Sequence, residues 1–124
     1  MSRVAVVFFR DADGNVPVKD WLDTFVAKRG VEALAKCRVK LAYLANTGRD
    51  ARRPHVDYLR NGIYELRARH RNANYRILFF YGSEVVAVAA HGLTKEATIP
   101  QQDIDIAIER KKIYEANTER HTCL

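Results

Sequence analysis

The sequence predicts a single α+β domain in the order strand, helix, helix, three strands, helix. Short β-branched and aromatic runs, two stretches with apolar residues at helical spacing, and the lack of any repeat or linker in 124 residues carry this expectation. A chain of this length, 48% hydrophobic, buries roughly two thirds of its unfolded surface. One packed core is expected.

The run VAVVFF (4–9) is β-branched and aromatic, and the turn-rich RDADGN ends it, so it predicts a first strand. Pro17 suits a first helical position, Trp21, Leu22, Phe25 and Val26 form an apolar stripe, and Gly30 is placed to stop the helix. A second helix from Val31 carries Val31, Leu34, Leu41, Leu44 and Ala45 on its inner stripe and closes at Gly48. Residues 47–62 show no clear period and read as a mostly irregular basic connection. Three strands follow at roughly 62–69, 74–82 and 84–91, with RNAN and GS as turns, giving an antiparallel meander. VVAVAA (85–90) is apolar on both faces, so it reads as a central strand covered on both sides. A last helix begins near Pro100, with Thr98 and Gln101 at capping-box spacing and Ile104, Ala107 and Ile108 inward. The domain spans 1–116, and 117–124 is expected as a flexible tail.

No apolar run approaches the roughly 18 residues of a membrane span, and the N-terminal stretch is too short and lacks the cleavage pattern of a secretory signal. A cytoplasmic protein without membrane contact is expected. Cys37 and Cys123 suggest neither a disulfide framework nor a metal site, and nothing calls for a cofactor.

Charge is distributed unevenly. From Lys28 to Arg76 thirteen Lys or Arg stand against four acids, whereas the rest of the chain has more acids than bases. Such clustering favours a polyanion, and nucleic acid is the commonest one in cytoplasm. Within it, YELRARHRNANYRILFF (64–80) places Arg67 and Arg69 on one strand face with Glu65, while Tyr64, Leu66 and Ala68 take the other. Arg71 lies in the turn and Arg76 across the hairpin. Four guanidinium groups gathered there call for an anion, or Arg67 pairs with Glu65 as an ordinary ion pair.

The segments GIYELRARHRNANYRILFF, HGLTKEATIP and QQDIDIAIERKKIY, in that order, resemble the RelE/ParE toxin superfamily and its HigB-type branch. The resemblance runs from about Val4 to Tyr114. It implies a RelE-like domain, with a curved, mainly antiparallel sheet and two N-terminal helices on one face. It also implies ribosome-dependent cleavage of messenger RNA and neutralisation by a helix-turn-helix, HigA-like antitoxin. The reaction it implies is attack of an RNA 2′-hydroxyl on its own phosphate, which needs cations and proton-transfer groups but no metal.

Arg67 matches the Arg of the family's ELR strand, Arg76 that of its YR strand, and Lys95 the basic residue after the last strand. The planar fork of Arg suits the grip on two phosphate oxygens. His91 and His70 are candidate proton-transfer groups because imidazole titrates near neutrality, and Glu65 is a candidate base. Lys36, Lys40, Arg49, Arg52, Arg53, Arg69 and Arg71 are the expected docking surface for ribosomal RNA and the message backbone. Glu96 departs from the pattern, standing where many relatives carry a second Lys. Two other readings share the fold or the charge: a ParE-type inhibitor of DNA gyrase without nuclease chemistry, and a plain RNA-binding or phage host-interaction protein.

Overall fold

The computed structural model of the chain describes residues 3–94 and 97–124. Its centre is a six-stranded sheet built from β1 (Ala5–Phe9), β2 (Val56–Arg60), β3 (Ile63–His70), β4 (Ala73–Ser83), β5 (Val86–Thr94) and β6 (Thr122–Cys123), in the order β2-β3-β4-β5-β1-β6. Only β1 against β5 is parallel. The remaining pairs are antiparallel. The expected mixed fold with two N-terminal helices and one C-terminal helix is therefore present.

The first helical segment opens as α1 (Pro17–Trp21) with Pro17 in its first turn. It widens into a π-helical turn over Leu22–Val26 and tightens into a 3₁₀ turn over Ala27–Arg29. Val18, Leu22 and Val26 are its buried line, whereas Phe25 is exposed. α2 (Val31–Thr47) buries Ala33, Cys37 and Leu44, with Leu34 and Leu41 packed beside them. Val31, expected on the inner stripe, is 83% exposed, because the helix turns its 33/37/44 line to the sheet. These helices cover the face carrying Leu66, Ala68, Tyr75, Ile77 and Phe79. The Trp21 ring lies on β5 at Gly92, where a Cβ would come within 2.4 Å of the indole.

α3 (Gln101–Ala116) covers the opposite face, packing Ile104, Ala107 and Tyr114 on Ile63, Leu78, Phe80 and Val88. β5 is thus central and covered on both sides, as VVAVAA predicted. The capping box does not form: Pro100 is the N-cap and no side chain caps the helix.

Two further expectations differ from the structure. The segment expected to be irregular contains β2, joined to β3 by Asn61 and Gly62, both with positive φ (52° and 81°). Asn-Gly is the commonest sequence for such a two-residue hairpin. The tail, expected to be flexible, forms β6 along Phe8 and Phe9 of β1. His121 there is buried, stacked on Phe9 with ring centroids 5.8 Å apart, and its Nδ1 lies 2.7 Å from the Arg10 carbonyl oxygen. Among the described residues no helix is long and apolar enough to cross a membrane.

Candidate nucleic-acid interface and active site

Strand alternation sends Ile63, Glu65, Arg67 and Arg69 to the α3 side of the sheet. The β3/β4 register sets Arg67 directly opposite Arg76, and the β2/β3 register sets Glu65 opposite Asp57. Like charges facing each other across a sheet destabilise it. Here the two pairs relieve each other. Arg67 Nη2 donates to Glu65 Oε1 at 3.0 Å and to Asp57 Oδ2 at 3.1 Å, Arg76 Nη1 donates to Glu65 Oε2 at 3.1 Å, and Arg53 Nε donates to Asp57 Oδ1 at 3.0 Å.

Glu65 is only 2% exposed, and each of its carboxylate oxygens takes one guanidinium. Buried charges persist where they are paired and hydrogen-bonded in this way. The hydrogen bond from Arg53 holds the Asp57 carboxyl below the usual carboxylate range, with the Arg53 and Arg67 charges adding to it. The hydrogen bond to Glu65 raises Arg67 above the ordinary guanidinium range. Among the described residues the Nε atoms of Arg67 and Arg76 are buried and have no hydrogen-bond partner, so two donors beside the network stay unsatisfied.

These arginines line a cleft of about 640 Å³ together with Tyr58, Arg60, Glu65 and Gln101. That volume falls within the roughly 300–1,000 Å³ of small-ligand sites. Its far wall is the start of α3, where Arg60 Nε donates to Gln101 Oε1 at 3.0 Å and Arg60 Nη2 to Asp105 Oδ1 at 2.7 Å. The arrangement can receive a phosphate-sized anion on Arg67 and Arg76. Among the described residues no imidazole lines the cleft.

The profile of the family described as phage derived protein Gp49-like (DUF891) matches residues 20–112, about three quarters of the chain, and the whole cleft lies inside that span. The chain belongs to the Gp49-like family. It is a toxin-like family of the RelE kind. A search of curated proteins finds no match.

In this Gp49-like fold the residues expected at the site divide into groups. Glu65, Arg67 and Arg76 come together, with Arg53 at the edge of their network. Arg69 follows on the same face and donates to Asn74 Oδ1 at 3.3 Å. Lys95 lies outside the described residues.

His91 is held elsewhere. A register shift between Leu78 and Phe79 leaves Ala90 unpaired and brings His91 under α3, with Nε2 2.7 Å from Asp103 Oδ1 and Nδ1 3.4 Å from Arg110 Nη1. Arg110 also donates to the Ala90 carbonyl at 2.7 Å. Burial lowers the His91 pKa, the Asp103 hydrogen bond opposes this, and the Arg110 charge assists it. His91 therefore fastens α3 to β5 and does not line the cleft. His70 occupies the helix-pair side of the sheet, 3.6 Å from Glu32 Oε1, so the structure does not bring it to the arginine pair.

The expected docking surface is also divided. Lys36 and Lys40 lie on α2, with Lys40 Nζ 2.6 Å from His55 Nδ1, and Arg49 sits 4.4 Å over the Tyr81 ring. Arg52 Nε donates to the Asp50 carbonyl at 3.2 Å, and Arg71 projects from the β3–β4 turn with φ 57°. The sequence reading missed Tyr58, Arg60 and Gln101 as cleft residues and Asp57 as the carboxylate that joins Arg53 to Arg67. Asn61-Gly62 was the available signal, because a hairpin there lays residues 56–60 beside β3.

Proposed function

We propose that this Gp49-like protein is the toxin of a type II toxin–antitoxin system, a HigB-type, ribosome-dependent messenger RNA endoribonuclease. The observation that carries the reading is the cleft on the α3 side, where Arg67 and Arg76 stand side by side across the β3–β4 pair. In the reaction the 2′-hydroxyl oxygen forms a bond to the adjacent phosphorus as its proton leaves, the P–O5′ bond breaks and O5′ takes up a proton, leaving a 2′,3′-cyclic phosphate and a 5′-hydroxyl. Charge on the phosphoryl oxygens rises on the way. Guanidinium groups fixed beforehand by a buried carboxylate stabilise that state without reorganising. Glu65, with both oxygens engaged, holds the pair in place, and Lys95 is the third cation of this reading. The partners are the ribosome with its message and a HigA-like helix-turn-helix antitoxin.

One observation favours a second reading. Glu65 and Asp57 already offset much of the charge on Arg53, Arg67 and Arg76, which a ParE-like gyrase inhibitor without nuclease chemistry tolerates better.

The test is induction in bacteria of wild type beside Arg67→Lys/Arg76→Lys, which keeps the charges but loses the fork. Message 5′ ends are mapped, and folding is checked by circular dichroism. Growth arrest with new ends in translated messages, both lost in the folded variant, is the expected result. Arrest with messages intact overturns the nuclease reading in favour of the gyrase type.

A further inference from the structure

The cations of the chain are not equally compensated. Among the described residues Arg53, Arg60, Arg67 and Arg76 each have a carboxylate partner, whereas Arg29, Arg69 and Arg71 are among the arginines that have none. These three converge on the tip of the β3–β4 hairpin. Arg29 and Arg71 line a cavity of about 450 Å³ with His70, Asn72, Asn74 and Thr94, and Arg69 is tied to this cavity through its hydrogen bond to Asn74. Among the described residues no carboxylate lines it. Glu32 on α2 lies beside His70, in the adjoining depression.

The tip is also built to stay in place. The Arg29 guanidinium lies 4.8 Å from the Phe25 ring centroid, and Phe25 is stacked on Trp21. A cation over an aromatic face is attracted to it without losing its charge. Arg71 adopts a left-handed backbone that few side chains tolerate, which turns the chain back after His70.

Spacing connects the tip to the cleft. Arg67 and Arg69 are two strand residues apart on one face, a separation of about 6.8 Å from the rise of a strand. That is comparable to the distance between successive phosphates of an extended single strand. Arg71 continues the series into the turn.

We infer that the β3–β4 tip is a single-stranded RNA site, in which Arg69 and Arg71 take successive backbone phosphates and the Arg29, Asn72 and Asn74 cavity receives the nucleotide beyond them. The strand runs from the cleft along β3, so the inference rests on the reading that the cleft takes RNA. Asn amides carry both a donor and an acceptor and can meet a base edge, while the arginines position the backbone.

The test is fluorescence anisotropy of a labelled single-stranded RNA ten-mer with the full chain across a salt series. Arg69→Ala/Arg71→Asn is compared with Arg67→Lys/Arg76→Lys, and Lys19→Ala on α1, which is exposed and outside both clefts, serves as control. Each phosphate contact to a single strand adds about 0.7 to the salt slope, so the tip variant should lose about 1.4 and the control nothing. An unchanged slope in the tip variant overturns the inference, and the cleft reading survives if the Lys pair weakens binding. A loss in the tip variant with none in the Lys pair supports the tip and counts against the cleft. Absence of binding by wild type, or preference for duplex DNA of equal length, overturns the tip as an RNA site.

Discussion

At the scale of single residues, Glu65 decides what the arginine pair can be. Period-two alternation alone places Glu65, Arg67 and Arg69 on one face, so the cationic site was legible from residues 64–80. The anion that the cluster called for is largely supplied from within, because Glu65 receives Arg67 from its own strand and Arg76 from the next. That pairing depends on the β3/β4 register, which charge patterning does not encode. Removing the carboxylate leaves two guanidinium groups facing each other with little solvent at Arg76, whose side chain is 12% exposed. Breaking a buried pair from one side costs about 3–5 kcal/mol. Glu65→Ala should therefore lower unfolding free energy by roughly 3 kcal/mol in urea titrations, with Glu65→Gln, which keeps an acceptor, nearer 1 kcal/mol. Equal stability of Glu65→Ala and wild type would show that the network does not hold the site.

At the scale of elements, what could be read locally was found, and what depends on a distant partner was not. The helices and the central strand follow from spacing and composition. β2 was hidden by a basic segment without period, and its only cue was Asn61-Gly62. β6 was hidden because a polar tail acquires a strand partner only once α3 has returned the chain to β1. The attachment of α3 is partly polar, through His91, Asp103 and Arg110, and this makes it sensitive to pH. The native pKa of His91 lies below the ordinary 6.5, with burial as the largest cause. Below pH 6.5 the unfolded chain therefore binds more protons than the native one. Stability is fully present above that pH and is lost as pH falls toward the native value, at up to about 1.4 kcal/mol per pH unit from this group. Urea unfolding between pH 7.5 and 5 should show this loss in wild type and a flatter profile in His91→Gln. An identical slope in both would remove His91 from the linkage.

At the scale of the whole molecule, two apolar cores share one sheet. Phe79 and Phe80 are neighbours on β4, yet Phe79 belongs to the α1/α2 side and Phe80 to the α3 side. Neither core can dissolve while the strands stay paired, so the domain should open as one unit in the manner of small single domains. The cysteines offer a direct check. Cys37 is fully buried in the α2 line, and burial pushes its thiol up to about 11, whereas Cys123 lies partly exposed in the edge strand β6. A thiolate is the reactive species, so at pH 8 a disulfide reagent should titrate Cys123 promptly and Cys37 only as fast as the molecule unfolds. The free energy of opening obtained from Cys37 labelling should then match that from urea unfolding and fall with urea at the same slope. Prompt reaction of both thiols without denaturant, or a Cys37 rate insensitive to urea, would mean that α2 detaches alone and that the two cores are not one cooperative structure.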